Sequence, residues 1–148
     1  MMKYALIFLA MISIAQMAFS QTTSSVSLTS KDIARYNIDN CVNEFSMEGT
    51  KKTSVGYQHW FVPKDFANGQ TLKMSVVAPG KATHPPHKHK EEEFFFVLEG
   101  TAEFFLDGKT KQAGAYASFY CPSFSMHGIR NVGDIELKYL VIKKYEKK

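Results

Sequence analysis

Four side chains in this sequence have the types and spacing of metal ligands: His87, His89, Glu93 and His127. Three neutral imidazoles and one carboxylate suit a divalent ion of Mn, Fe, Co, Ni, Cu or Zn. Four protein ligands leave positions on a five- or six-coordinate metal for substrate or water, as Lewis-acid chemistry requires. We therefore expect one metal site, and the identity of its ion stays open.

The elements that must position these groups are β-strands. Alternate side chains of a strand point to the same face, so His87 and His89 on one strand could reach one point. Glu93 opens the next strand and shares its parity with Phe95, so we expect both to face inward. His127 comes from a later strand, and folding could place it opposite.

Three further side chains are candidate catalytic groups, because isomerase or lyase chemistry needs a proton shuttle. His84 stands beside Pro85-Pro86 and could donate a proton or support the ligands, or it could be an exposed loop residue. Tyr57 and His59 share one face of a predicted strand and could line the mouth of the pocket. For His59, a surface or hydrogen-bonded role is the alternative.

The two cysteines, Cys41 and Cys121, are far apart in the sequence. One such pair is no disulfide framework, so we expect two separate buried thiols. The closeness of Cys121 to His127 in sequence makes a role near the metal conceivable.

The N-terminus has the pattern of a secretory signal peptide. A short basic start precedes an apolar run over residues 4–15, and small residues, Ala18 and Ser20, stand at the −3 and −1 positions of a cut before Gln21. The run is shorter than the roughly 20 residues that span a bilayer. We expect residues 1–20 to be removed and the mature chain to be periplasmic or secreted; an uncleaved anchor or a buried helix is the alternative.

The composition is that of a globular protein. The 148 residues suggest one domain, with 45% hydrophobic and 22% charged residues and an aromatic content of 14% that can fill a β-sheet core. The net charge of +4 is mild, and there is no basic stripe with interleaved aromatics. The pattern therefore gives no reason to expect a nucleic-acid partner.

Short segments with a hydrophobic period of two recur between residues 53 and 143, with Asp107-Gly108 as a strong hairpin turn. Pro63 is expected to end the first of eight or nine short strands. This pattern predicts an all-β fold, an antiparallel sandwich or barrel with little helix. We expect a flexible leader and lead-in segment over residues 21–52 and a barrel domain over residues 53–148.

At the predicted site the sequence resembles the cupin superfamily. The first cupin motif is Gly, about five residues, His-x-His, three or four residues, Glu, six residues and Gly. In this chain Gly80 is followed by six residues, the pair His87-x-His89, three residues, Glu93, six residues and Gly100.

The second motif is matched in part. The cupin pattern is Gly, five residues, Pro-x-Gly, two residues, His, three residues and Asn. This chain has Gly114, seven residues, Pro122-x-Phe124, two residues, His127, three residues and Asn131. Phe124 replaces the usual Gly and could bring an aromatic ring towards the pocket, whereas Asn131 resembles a structural turn residue.

The resemblance covers about residues 70–143 and implies a single double-stranded β-helix, or jelly-roll barrel, of six to eight strands that is often dimeric. The metal ligands would be the quartet named above. Aromatic and apolar side chains could line the cavity or simply fill the core: Phe95, Phe104, Phe119, Tyr120 and Met126.

Two classes of function fit this site. One is a metalloenzyme acting on a small oxygenated molecule, such as a sugar acid, a keto or hydroxy acid or a phenolic, by isomerase, lyase or dioxygenase chemistry. The other is a barrel that binds a small ligand without turning it over. The intact ligand quartet favours the enzyme, although one fold supports many chemistries.

Overall fold

The computed structural model describes residues 35–146, so the predicted signal peptide and residues 21–34 of the predicted leader lie outside the described residues. All the strands of the described residues lie in one compact unit, which begins at Ile38. No helix among the described residues is long and apolar enough to cross a membrane.

Within residues 35–146 the regular secondary structure is almost entirely β. One short helix, α1 (Ile38–Cys41), precedes nine strands. In chain order these are β1 (Thr50–Thr53), β2 (Gly56–Ala67), β3 (Gln70–Val77), β4 (Glu93–Glu99), β5 (Ala102–Leu106), β6 (Lys109–Ala113), β7 (Ser118–Cys121), β8 (His127–Asn131) and β9 (Leu137–Lys144).

The strands form two antiparallel sheets, in the orders β1-β2-β3-β9-β4-β7 and β6-β5-β8. Buried residues from both sheets form one core, in which Phe95 and Val97 of the larger sheet join Phe104 and Ile129 of the smaller one. The chain thus buries one face of each sheet against the other. The prediction of an all-β antiparallel jelly-roll barrel is confirmed.

The predicted parity of β4 is correct, because Glu93, Phe95 and Val97 are buried while the residues between them are more exposed. The Asp107-Gly108 turn also forms as expected, with both residues at positive φ, 44° and 85°, between β5 and β6. The left-handed backbone suits the twist of a tight hairpin. Local sequence signals therefore determine these two elements.

The expected end of a strand at Pro63 is wrong. β2 runs on to Ala67, and its pairing with β3 shifts register between Trp60 and Val62 and again between Val62 and Ala67. Proline is tolerated at such an irregularity, because the ladder does not need the N–H that it lacks. The turn comes later, at Asn68 and Gly69.

Candidate metal centre

The site is assembled where β8 meets the connection before β4. The His87 N–H donates to the His127 carbonyl at 3.0 Å, and the His127 N–H donates to the His87 carbonyl at 2.9 Å. The expectation that His87 and His89 share one strand is wrong, since His87 forms an isolated bridge and His89 lies in an irregular segment. Pairing with β8, and not strand alternation, positions this connection.

The carboxylate reaches the histidines from the larger sheet. Glu93 is the first residue of β4 and is buried with its side chain turned inward. One of its oxygens, Oε2, lies 3.5 Å from Nε2 of His89 and 3.3 Å from Nε2 of His127. The predicted carboxylate and two of the predicted histidines therefore converge on one point.

The three histidine rings form a tight cluster. Ring centroids are 5.3 Å apart for His87 and His89, 4.9 Å for His87 and His127, and 4.8 Å for His89 and His127. One nitrogen from each ring lies within 4.8 Å of the other two. A single ion could therefore contact all three rings.

Backbone carbonyls orient two of these rings. Nδ1 of His89 is 2.7 Å from the Glu91 carbonyl, and Nδ1 of His127 is 2.9 Å from the Ser125 carbonyl. A carbonyl only accepts, so each Nδ1 must carry the hydrogen and donate it. In the neutral ring, Nε2 then keeps its lone pair, which is how carbonyl partners orient ligating histidines.

These donors fit a cation. Nδ1 of His87 and Nε2 of His89 and His127 are buried without a hydrogen-bond partner among the described residues. A lone pair facing a carboxylate oxygen at 3.3 Å requires a proton or a cation between them. Nitrogen and carboxylate donors of this kind suit a borderline divalent metal.

Electrostatics around His87 favour the neutral ring. Burial is the largest cause that lowers its pKa, and the neighbouring rings of His84, His127 and His89 lower it further, against an opposing effect of Glu93. A lowered pKa keeps the imidazole unprotonated, which metal ligation requires.

Cys121 also lies at this cluster. It is the register partner of Glu93, and its Sγ lies within 4.8 Å of ligand atoms of Glu93 and His127. Burial raises the pKa of its thiol to about 12, so the thiol is protonated at neutral pH. The structure thus places Cys121 beside the site and leaves both cysteines free. The expectation of two buried thiols is wrong for Cys41, which is exposed on the short helix α1.

A cavity of about 200 Å³ lies against Glu93 inside the barrel. Its wall includes Lys73, Ser75 and Tyr139 as well as Phe95. Sequence reasoning missed Lys73, although its parity with Ser75 on β3 is the signal that could have found it. A lysine on a strand is ordinarily taken for a solvent-facing residue.

The three candidate catalytic residues have different positions. His84 lines the cavity, and its ring centroid is 4.3 Å from that of His87. Tyr57 also contributes to the cavity wall. His59 does not line it: its ring packs between Phe45 and Phe61, at centroid distances of 5.2 and 4.7 Å.

Few of the aromatic candidates line this cavity. Phe95 does, whereas Phe104 and Phe119 pack on each other with centroids 4.9 Å apart. Tyr120 is exposed and bonded to Glu92, Met126 is partly exposed, and Phe124, with 68% of its surface exposed, is outside the cavity wall. Side chains alternate between the two faces of β7, so Tyr120 points away from the core and is exposed.

Known proteins share this sequence and fold. Residues 73–143 match the family model Cupin_2, the cupin domain. The chain is 23% identical over 137 residues to mannose-1-phosphate guanylyltransferase of Escherichia coli (strain K12), which covers 89% of this chain and 28% of that protein. It is 33% identical over 67 residues to polyketide synthase CurC of Streptomyces cyaneus, covering 45% and 44%. The chain spans less than two thirds of the length of these curated relatives.

A solved structure shares the fold. That of a predicted oxalate decarboxylase from Thermotoga maritima superimposes with a TM-score of 0.63 at 22% identity, covering 70% of this chain and 97% of that one. At 22% identity, this likeness shows only that the two chains share the barrel fold. The family match, the first motif, most of the second motif and the fold agree, so residues 73–143 of this chain belong to the cupin superfamily.

Proposed function

We propose that this cupin holds one divalent transition-metal ion with four side chains: His87, His89, Glu93 and His127. The observation that carries the proposal is the convergence of buried ring nitrogens without hydrogen-bond partners on a buried carboxylate. The match to the cupin family supports it.

The chemistry proposed is that of a metalloenzyme on a small oxygenated molecule. When bound, the ion would supply Lewis-acid chemistry toward substrate oxygens. The Glu91 and Ser125 carbonyls keep two ligand rings in one tautomer. A cavity of about 200 Å³ admits only a small molecule, since surveyed ligand pockets run from roughly 300 to 1,000 Å³.

His84 is the proton-transfer candidate that the geometry favours. It lines the cavity, and its Nδ1 lies 3.2 Å from the Pro85 carbonyl, to which it can donate. Nε2 is then the atom that can take up or deliver a proton. Tyr57 is the second candidate on the cavity wall. His59 is less well placed, because two phenylalanine rings flank it outside the cavity.

Similar proteins bear names that concern small oxygenated compounds, among them a predicted oxalate decarboxylase and a polyketide synthase. These names leave the reaction type open between isomerase, lyase and dioxygenase. The identity of the native ion would distinguish these reaction types: iron would favour oxygen chemistry, whereas zinc, manganese or nickel would favour isomerisation or elimination.

Elemental analysis of the purified protein tests the metal site. We expect one transition-metal ion per chain, and its loss in His87→Ala and His127→Ala with the circular dichroism spectrum retained. His59→Ala is the matched control, since it removes a buried imidazole away from the cluster. Protein with no metal that takes up none of the six candidate ions on titration would refute the site.

Location and assembly are part of the same proposal. We infer an exported protein that forms a homodimer in solution, as the resemblance to cupins implies. Light scattering at micromolar concentration measures the assembly, and a monomer there would refute the dimer.

A metal-loaded protein that binds small acids but converts none of them would favour the non-catalytic barrel.

A further inference from the structure

The cavity beside Glu93 contains a lysine that neither motif predicts. Lys73 lies on β3, in the interior of the larger sheet, opposite Trp60 on β2 and Val141 on β9. Its side chain is partly buried and forms part of the cavity wall. The ammonium Nζ lies 5.2 Å from the centroid of the Trp60 ring, which can stabilise a cation.

This ammonium has no ion-pair partner in the part of the chain that the structure describes. Among residues 35–146, no carboxylate oxygen lies within 4.0 Å of the Lys73 Nζ. Glu93 is near enough to raise its pKa, but burial has the larger effect and lowers it. A partly buried cation without a counter-ion is costly, so its presence at a cavity points to an anionic occupant.

The net charge of the site with its metal ion bound also favours an anionic occupant. The proposed ion engages the Glu93 carboxylate, which leaves Lys73 without a counter-charge. A divalent cation, one carboxylate and one ammonium give the site a net positive charge. In a cavity of low dielectric, such a site favours a ligand that carries negative charge.

Hydroxyl groups surround the same space. The Ser75 and Thr83 side chains lie near the Tyr139 hydroxyl, and all three residues line the cavity. Ser75 follows Lys73 on the inward face of β3. An ammonium next to hydroxyl donors can satisfy both oxygens of a carboxylate.

The cavity volume limits the size of the anion. About 200 Å³ is below the roughly 300–1,000 Å³ of surveyed ligand pockets, so the anion must be small. A hydroxy or keto acid with a few carbons fits this space. It can also present its second oxygen to the metal while its carboxylate faces the ammonium.

We propose that Lys73 binds the carboxylate of a small hydroxy or keto acid in this cavity, which makes acids and not phenolics the substrate class. This inference rests on the proposed function of the same site. It assigns a charge-recognition residue to that function and names no reaction.

Calorimetric titration with matched probes tests the inference. Lactate and lactamide both present two oxygens to a metal, but only lactate carries a charge, and catechol represents the phenolics. With Mn(II)-loaded protein we expect lactate to bind at least about tenfold more tightly than lactamide or catechol, as a hydrogen bond between charged groups predicts. Trp60, the one tryptophan of the chain, gives a second readout by fluorescence.

Substitutions assign the effect to the ammonium. Lys73→Met keeps much of the aliphatic stem, and we expect it to weaken lactate binding about tenfold while lactamide binding and metal content stay unchanged. Lys73→Arg should restore most of the lactate affinity. Lys51→Met makes the same exchange at an exposed position on β1 and should change nothing.

The outcomes separate this inference from the metal site. If metal binds but Lys73→Met retains full lactate affinity, or if catechol binds best to the wild type, the role of Lys73 is refuted and the metal site stands. If no metal binds, the same titrations on metal-free protein show whether Lys73 forms an anion site without the metal. Binding of lactate that depends on Lys73 would then support the anion site alone, and its absence would refute both.

Discussion

His87 and His127 are joined by two backbone hydrogen bonds, one in each direction, of 3.0 and 2.9 Å. This pair links the segment of the first sequence motif to the strand of the second, so the cluster depends on the approach of two distant parts of the chain. Gly128 allows the approach, because a Cβ there would lie 3.3 Å from Cα and 3.4 Å from Cγ of Pro86.

The first prediction concerns that approach. Gly128→Ala should push the Pro86 segment away from β8, lower the free energy of unfolding by about 1 kcal/mol and weaken metal binding. Gly114→Ala is the matched control, since a Cβ there meets only the Gly100 carbonyl, at 3.8 Å. Denaturant unfolding and competitive metal titration measure both effects. Equal metal affinity in the two variants would contradict the role given to Gly128.

The second prediction concerns Asn131, which is fully buried. Its amide donates to the carbonyls of Val77 at 2.9 Å and Ile135 at 2.7 Å, and its oxygen accepts from the Gly133 N–H at 2.9 Å. Asn131→Ala leaves these groups unpaired and should cost roughly 2–4 kcal/mol of unfolding free energy in urea.

The control for Asn131 is Asn43→Ala, which removes an exposed amide with a single long hydrogen bond of 3.4 Å. It should change stability by less than about 0.5 kcal/mol. Metal content per chain should be unchanged in both variants, because Asn131 is proposed as a structural turn residue. Loss of the ion from folded Asn131→Ala would show that its role extends to the site.

The third prediction concerns Phe124, which adopts a left-handed backbone at φ 62° where cupins usually have glycine. Its ring is largely exposed, and its N–H donates to the His89 carbonyl at 2.8 Å. Phe124→Gly keeps that hydrogen bond and relieves the strain, so we expect a gain of about 0.5–1 kcal/mol. Phe124→Ala removes the ring without relieving φ and should give no such gain. Equal stability of the two variants would show that the backbone is unstrained.

The fourth prediction concerns the cysteines. Cys41 is exposed and Cys121 is buried with a pKa of about 12, so an alkylating reagent at pH 8 should label native protein once, at Cys41. Cys41→Ala should then take up no label until the protein is unfolded. Mass spectrometry gives the count, and rapid labelling of native Cys121 would contradict its burial.

The raised pKa of Cys121 also predicts that the free energy of unfolding falls at alkaline pH. The thiol ionises more readily in the unfolded chain, so its contribution is complete below pH 9 and is lost as the pH rises toward about 12. Cys121→Ala should remove this alkaline loss of stability.

The fifth prediction concerns export. Expression in a bacterium with two membranes should yield a periplasmic chain whose intact mass corresponds to an N-terminus at Gln21. Ala18→Arg places a large charged residue at the −3 position and should block cleavage. A full-length cytoplasmic chain from the unaltered sequence would contradict the signal peptide.

Local sequence patterns predicted much of the fold. The alternation in β4 predicted that Glu93 and Phe95 face inward, and Asp107-Gly108 predicted its hairpin, because both depend on neighbouring residues. Pro63 misled the prediction of where β2 ends, because the register shifts in its pairing with β3 are not visible in the local sequence.

The sequence by itself determined the donor set of the candidate site, since side-chain type and motif spacing identify His87, His89, Glu93 and His127. Only the tertiary structure decided how they meet, through the pairing of the His87 segment with β8. The same long-range packing placed Lys73 in the cavity and His59 outside it. The physical reason is that periodicity gives the face of a strand, whereas which faces enclose one cavity depends on contacts between strands far apart in the chain.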